Sequence, residues 1–118
     1  MNALITGGAG FIGSHLAEYL VEQNCSVIII DNFATGKIDN LKKIHNQIEI
    51  YNEDIENEIP IRIIGKKKID VIYHLAALAD IVPSIENPSK YMKTNVQGTV
   101  NTLEFARKVD AKRFIYTA

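Results

Sequence analysis

The 118-residue chain has a single cysteine, Cys25, no tryptophan and only three prolines. One thiol cannot form an intrachain disulfide or build a cysteine zinc site, and no metal is expected. A lone free thiol fits a reducing compartment, so a cytoplasmic location is expected. Neither sign of charge dominates: 13 Lys and Arg against 14 Asp and Glu leave a net charge of −1. That balance excludes a polybasic arm or acidic tail as the main business, and no nucleic-acid partner is expected. No apolar run approaches the length of a membrane span, so no membrane partner is expected. Met1 to Thr6 lack a basic start and run into glycines, unlike a signal peptide. What is present is ordinary for a globular chain: 47% hydrophobic and 23% charged residues. The length suits one core.

Short apolar runs alternate with longer amphipathic ones, the pattern of βαβ units and a parallel sheet. The first strand is Ala3–Thr6, followed by Gly7-Gly8-Ala9-Gly10 and a helix from Phe11 to Gln23. Ile12, Leu16, Tyr19 and Leu20 recur at helical spacing, and Asn24 can end the helix in the left-handed conformation. Val27–Ile30 is a second strand of branched residues, suited to burial on both faces, and Asp31 closes it. A weak helix is expected over Ile38–His45, then a third strand over Ile48–Tyr51 reaching Asp54. Pro60 can sit in the first turn of a helix that Gly65 and the lysines close. The fourth strand is Val71–Leu75. Ala76–Asn87 reads as a long loop, and loops of that length are usually functional. A long helix, Pro88–Lys108, should turn Tyr91, Asn95, Leu103 and Ala106 inward. The fifth strand is Phe114–Ala118. Ala118 falls inside that apolar run, so a longer parent chain is expected.

Gly7-x-x-Gly10-x-x-Gly13 lies between a strand and a helix, where glycines serve a definite physical need. The chain must turn sharply, and its backbone must come close to a pyrophosphate. The helix start then offers unpaired N–H groups and a positive dipole end to that anion. A P-loop is excluded, because Ser14-His15 stands where Lys-Ser/Thr would be needed. Asp31 follows Gly13 by about 18 residues, close to the roughly 20 at which an acid accepts hydrogen bonds from an adenosine ribose. A carboxylate there repels a 2′-phosphate, which favours NAD over NADP.

Thr6-Gly7-Gly8-Ala9-Gly10-Phe11-Ile12-Gly13-Ser14-His15-Leu16, followed by Asp31-Asn32, resembles the extended short-chain dehydrogenase/reductase family. Its NAD-dependent nucleotide-sugar epimerases and dehydratases are the nearest kind. Asp54-Ile55, His74-Leu75-Ala76-Ala77, Asn95-Val96-Gln97-Gly98-Thr99 and Lys112-Arg113-Phe114-Ile115-Tyr116 agree with further family motifs. The resemblance covers the whole chain. It implies a doubly wound Rossmann fold with strand order 3-2-1-4-5, residues 1–118 forming part of an N-terminal NAD-binding domain. It also implies NAD contacts at Gly7, Gly10, Phe11, Ile12, Gly13, Asp31, Asn32, Asp54, Ile55, Leu75, Ala76, Ala77 and Asn95. Leu78–Ile85 looks most like UDP-hexose or UDP-N-acetylhexosamine 4-epimerases, and Ser84 is the candidate substrate contact. Such enzymes are isomerases that invert C4 through a transient 4-keto sugar. The family commonly pairs through a helical bundle, so a homodimer using the Pro88–Lys108 helix is expected.

The family's catalytic signature is Tyr-x-x-x-Lys. Four residues after Tyr19, Tyr51, Tyr73 and Tyr91 come Gln23, Ile55, Ala77 and Asn95, and Tyr116 has no such successor. No catalytic residue is therefore assigned within this chain, which alone should not complete the reaction. A 4,6-dehydratase or decarboxylase of the same family stays open, as does a non-catalytic dinucleotide-binding module. His15 and His45 read as surface or packing residues, and His74 as a satisfied histidine at a strand end. Lys66-Lys67-Lys68 reads as a solvated run and Cys25 as a core-edge residue.

Overall fold

A computed structural model describes residues 1–117. Five parallel strands, β1 (Asn2–Thr6), β2 (Ser26–Asp31), β3 (Ile48–Asn52), β4 (Val71–His74) and β5 (Arg113–Tyr116), form one sheet in the order β3-β2-β1-β4-β5. That is the expected order. Ala118, expected to extend the last strand, lies outside the described residues.

Alternation along the strands builds two cores. Ala3, Ile5, Val27 and Ile29 face one side, with Ala17, Leu20, Leu41 and Ile44 packed on them. Leu4, Ile28, Ile30 and Ile72 face the other, under Ile55, Ile59, Ile63 and Phe105. All four residues of Val27–Ile30 are buried, as the unbroken branched run predicts. Each such side chain taken from water contributes about 1.5–3 kcal/mol before entropy is counted.

The helices depart from expectation in instructive ways. Helix α1 spans Phe11–Glu22, and Asn24 adopts φ 62° after it, as expected. Its buried residues are Gly13, Ser14, Ala17 and Leu20, while Ile12 and Tyr19 face solvent. Small residues let the helix lie close to the sheet, so the large ones are turned away. Residues 38–47 form two 3₁₀ turns rather than one helix, with Leu41 and Ile44 buried. Ile61–Ile64 is likewise a single 3₁₀ turn after Pro60, closed by Gly65 at φ 57°.

The expected 76–87 loop contains a short helix, α2 (Ile81–Glu86). Pro83 falls in its first turn, where the missing N–H costs no hydrogen bond. The long helix is interrupted: α3 (Pro88–Met92) runs into a π-helical turn, Lys93–Gln97, and then into α4 (Gly98–Lys108). Thr94, Gly98, Thr102 and Phe105 face the sheet, whereas Leu103 points outward. Among the described residues no helix is long and apolar enough to cross a membrane.

Candidate functional site

An open cleft with a volume of about 120 Å³ lies at the carboxyl ends of the strands. The loops after β1 and β4, neighbours on opposite sides of the switch in strand order, form its walls. Ligands in open α/β sheets bind at such a point.

The glycine loop is shaped by contacts that exclude side chains. Gly7 sits at φ 73°, and a Cβ there would lie 2.8 Å from the Ala76 amide nitrogen. A Cβ at Gly13 would collide with the Gly7 carbonyl oxygen and lie 2.8 Å from Gly8 Cα. Gly10 lines the cleft, and a Cβ there would meet only the Gly7 carbonyl, at 3.4 Å. The amides of Phe11, Ile12 and Gly13 precede the first helical bond, from the Ser14 amide to the Gly10 carbonyl at 3.0 Å. Unpaired donors at a helix start suit a phosphate. The Phe11 and Ile12 side chains are 78% and 69% exposed.

Asp31 is only 8% exposed. Its Oδ2 accepts the Ala9 amide at 2.9 Å and its Oδ1 accepts the Phe33 amide at 2.8 Å. The acid thus fixes the glycine loop from across the sheet. A carboxylate offers about four acceptor sites, so two remain for ribose hydroxyls. Asn32 Oδ1 accepts the Ala34 amide at 3.0 Å, which turns the chain over the acid. Gly36 rests there as well, since a Cβ would meet Asp31 Oδ2 and Ala9 at 3.0 Å.

On the far wall, Leu75, Ala76, Ala77 and Leu78 line the cleft together with Ile55 and Thr94. Asn95 does not line it but holds that wall. It accepts the Leu78 amide at 2.8 Å and donates to the Leu78 carbonyl at 2.9 Å. Asp54 also stands behind, capping its own turn by accepting the Glu56 amide at 2.9 Å. Glu56 accepts bonds from Lys90 and Thr94, each at 2.7 Å, and pins the π turn. The Lys90 ammonium, then the Thr94 hydroxyl, hold its carboxyl below the ordinary value.

Of the residues expected to meet a cofactor, Gly7, Gly10, Asp31, Asn32, Ile55, Leu75, Ala76 and Ala77 line one cleft. Phe11, Ile12, Gly13, Asp54 and Asn95 border or support it. Ser84 lies on α2 and donates to the Ile81 carbonyl of its own turn, as a helix serine does. Thr35, Gly36, Glu53 and Thr94 line the cleft without having been singled out. The glycine so soon after Asp31 was the available signal; the others carry none.

A family model described as GDP-mannose 4,6 dehydratase matches residues 4–118. The chain belongs to the nucleotide-sugar epimerase/dehydratase family. It is 41% identical over 115 residues to a putative UDP-glucose 4-epimerase of Methanocaldococcus jannaschii, covering 98% of this chain and 37% of that protein. It is 44% identical over 115 residues to UDP-glucuronic acid decarboxylase 5 of Arabidopsis thaliana, covering 95% of this chain and 32% of that protein. A UDP-glucose 4-epimerase structure with UDP-glucose, from Thermotoga maritima, superposes with a TM-score of 0.89 at 39% identity, covering 98% and 37% of the two chains. A Thermus thermophilus UDP-glucose 4-epimerase in complex with NAD gives 0.86 at 32% identity, covering 97% and 36%. The chain therefore spans about a third of the length of these relatives.

Proposed function

We propose that this chain is the NAD-binding part of a UDP-sugar 4-epimerase. The observation that carries the reading is the cleft at the switch point, in which a glycine-rich loop is held against a buried acid. The glycine loop would hold the pyrophosphate, Asp31 the adenosine ribose, and Leu75–Ala77 the nicotinamide end. NAD would supply the acceptor for the sugar C4 hydride. The protein would contribute orientation and electrostatics. The chain itself lacks Tyr-x-x-x-Lys, so the acid–base pair would come from sequence beyond these residues. UDP-glucose and UDP-N-acetylglucosamine are the proposed substrates, in a cytoplasmic setting. UDP-glucuronate is the second reading, because decarboxylases of that sugar are as similar as the epimerase.

Calorimetric titration of the 118-residue chain should show one NAD bound per chain, with NADP weaker and no turnover of UDP-glucose. Absence of heat with NAD would overturn the reading. The natural gene product, given each UDP-sugar, should release the C4 epimer; release of carbon dioxide from UDP-glucuronate would replace it with the decarboxylase.

Two copies are proposed to pair through the outer face of the interrupted helix. Met92, Val96, Val100 and Leu103 are 46–60% exposed at near-helical spacing and form an apolar stripe. Sedimentation at micromolar concentration should give a dimer, and Val100→Lys should shift it towards monomer. A monomeric natural protein would overturn this.

A further inference from the structure

His74 closes β4 and is 2% exposed; it does not line the cleft described above but borders a smaller one with Ala76, Ala77, Asn95 and Thr99. Its Nδ1 lies 2.8 Å from Thr6 Oγ1 and its Nε2 lies 3.0 Å from Thr99 Oγ1. Both hydroxyls have a second partner. The Ala76 amide donates to Thr6 Oγ1 at 3.2 Å, and Thr99 Oγ1 donates to the Asn95 carbonyl at 2.7 Å.

A hydroxyl has one proton, so the direction of every bond is determined. Thr99 gives its proton to Asn95 and can only accept from Nε2. Nε2 therefore carries the ring proton. In a neutral ring Nδ1 is then the acceptor, and Thr6 donates to it. The Thr6 oxygen is left to accept the Ala76 amide, and every donor has one acceptor.

This relay reaches the cleft wall twice. At one end Thr6 holds Ala76. At the other end Thr99 bonds the carbonyl of Asn95, whose side chain clamps Leu78. Ala76 and Leu78 both line the cleft. We propose that His74 is a positioning residue, fixed as the neutral Nε2–H tautomer, that sets the Ala76–Leu78 backbone for a dinucleotide. The proposal rests on the reading of the cleft as an NAD site.

Protonating the ring would add an N–H at Nδ1, aimed at Thr6. The Thr6 hydroxyl would have to turn its proton away while its oxygen served two donors. Thr6 faces the ring from β1, Asn95 and Thr99 from the π turn and α4, and Phe114 and Tyr116 from β5 at ring-centroid distances of 5.9 and 6.1 Å. Among the described residues Tyr116 is the titratable neighbour, and no charged group is paired with the imidazole. Burial alone therefore pushes its pKa below the ordinary 6.5. The unfolded chain then binds more protons than the native one just below pH 6.5. The stability His74 contributes is complete above that pH and falls as the pH drops below it.

A long-range ¹H–¹⁵N spectrum of the labelled chain should show His74 protonated on Nε2 only and titrating below an exposed histidine. NAD affinity should fall with the protonation of that ring. His74→Phe, which removes both bonds, should weaken NAD binding about tenfold. His74→Gln, which keeps a donor towards Thr99, should recover part of that loss. A proton on Nδ1, or a folded His74→Phe chain with unchanged NAD affinity, would overturn the proposal. Should His74→Phe fail to fold, the tautomer and the pH dependence of NAD affinity in the unaltered chain decide. No NAD binding by the unaltered chain would instead remove the underlying dinucleotide reading, whatever the tautomer.

Discussion

Gly13→Ala is expected to destabilise the chain by about 3 kcal/mol, the upper part of the range for overpacking. In an open helix the same change would gain up to about 1 kcal/mol from helix propensity. The sign is reversed because the new methyl would meet only backbone: the Gly7 carbonyl, and Gly8 Cα at 2.8 Å. That backbone cannot retreat, since the Gly7 amide donates to the Ile30 carbonyl at 2.8 Å and Gly7 itself abuts Ala76. Gly65→Ala is the control. Nothing lies within 4 Å of its added Cβ, so its cost is only that of φ 57° with ψ −123°, a backbone conformation strained for any residue with a Cβ, about 1–3 kcal/mol. Thermal unfolding followed by circular dichroism should place both variants below wild type, Gly65→Ala through backbone strain and Gly13→Ala through the clash of its methyl. A Gly13→Ala chain that melts with wild type would show that α1 does not press on the loop.

Asp31→Ala should cost both stability and cofactor. It strands the amides of Ala9 and Phe33, each worth about 1–3 kcal/mol when buried without a partner. NAD affinity should fall by about a hundredfold or more, because the loop loses its anchor and the ribose its acceptor. Asp31→Asn is the sharper variant. It retains one acceptor oxygen and removes the charge, so NAD should weaken while NADP weakens less. Calorimetry with both nucleotides reads the ratio. An unchanged NADP-to-NAD ratio would mean that Asp31 shapes the loop without meeting the ribose.

The sheet was legible because its signals are local and redundant. Val27–Ile30 has no polar face to misread, and Asp31 marks its end. The glycine spacing likewise places the loop, the helix start and the side of the sheet that carries them. Faces of helices were less legible. Ile12 and Tyr19 share the helical spacing of Leu16 and Leu20 yet face solvent, whereas close approach to the sheet selected Gly13 and Ala17. The π turn leaves no periodic mark: it resets the face of the helix, so Phe105 rather than Leu103 meets the core. The relay through Thr6, His74 and Thr99 was hidden for another reason. Its two imidazole bonds join residues 68 and 25 positions apart, and a threonine at a strand end has many uses.

The strand order has a consequence for how the molecule is assembled. β1 comes before the other four strands in sequence, yet it lies at the centre, paired with β2 on one side and β4 on the other. The first pairing can form once residue 31 is available. The second must close a loop from Ala3 to Val71, and such long loops slow folding because their entropy is lost before contacts reward it. The seam between β1 and β4 closes the longest loop of the four strand pairings. The two walls of the cleft stand on either side of that seam, so the binding surface depends on a contact that is distant in sequence.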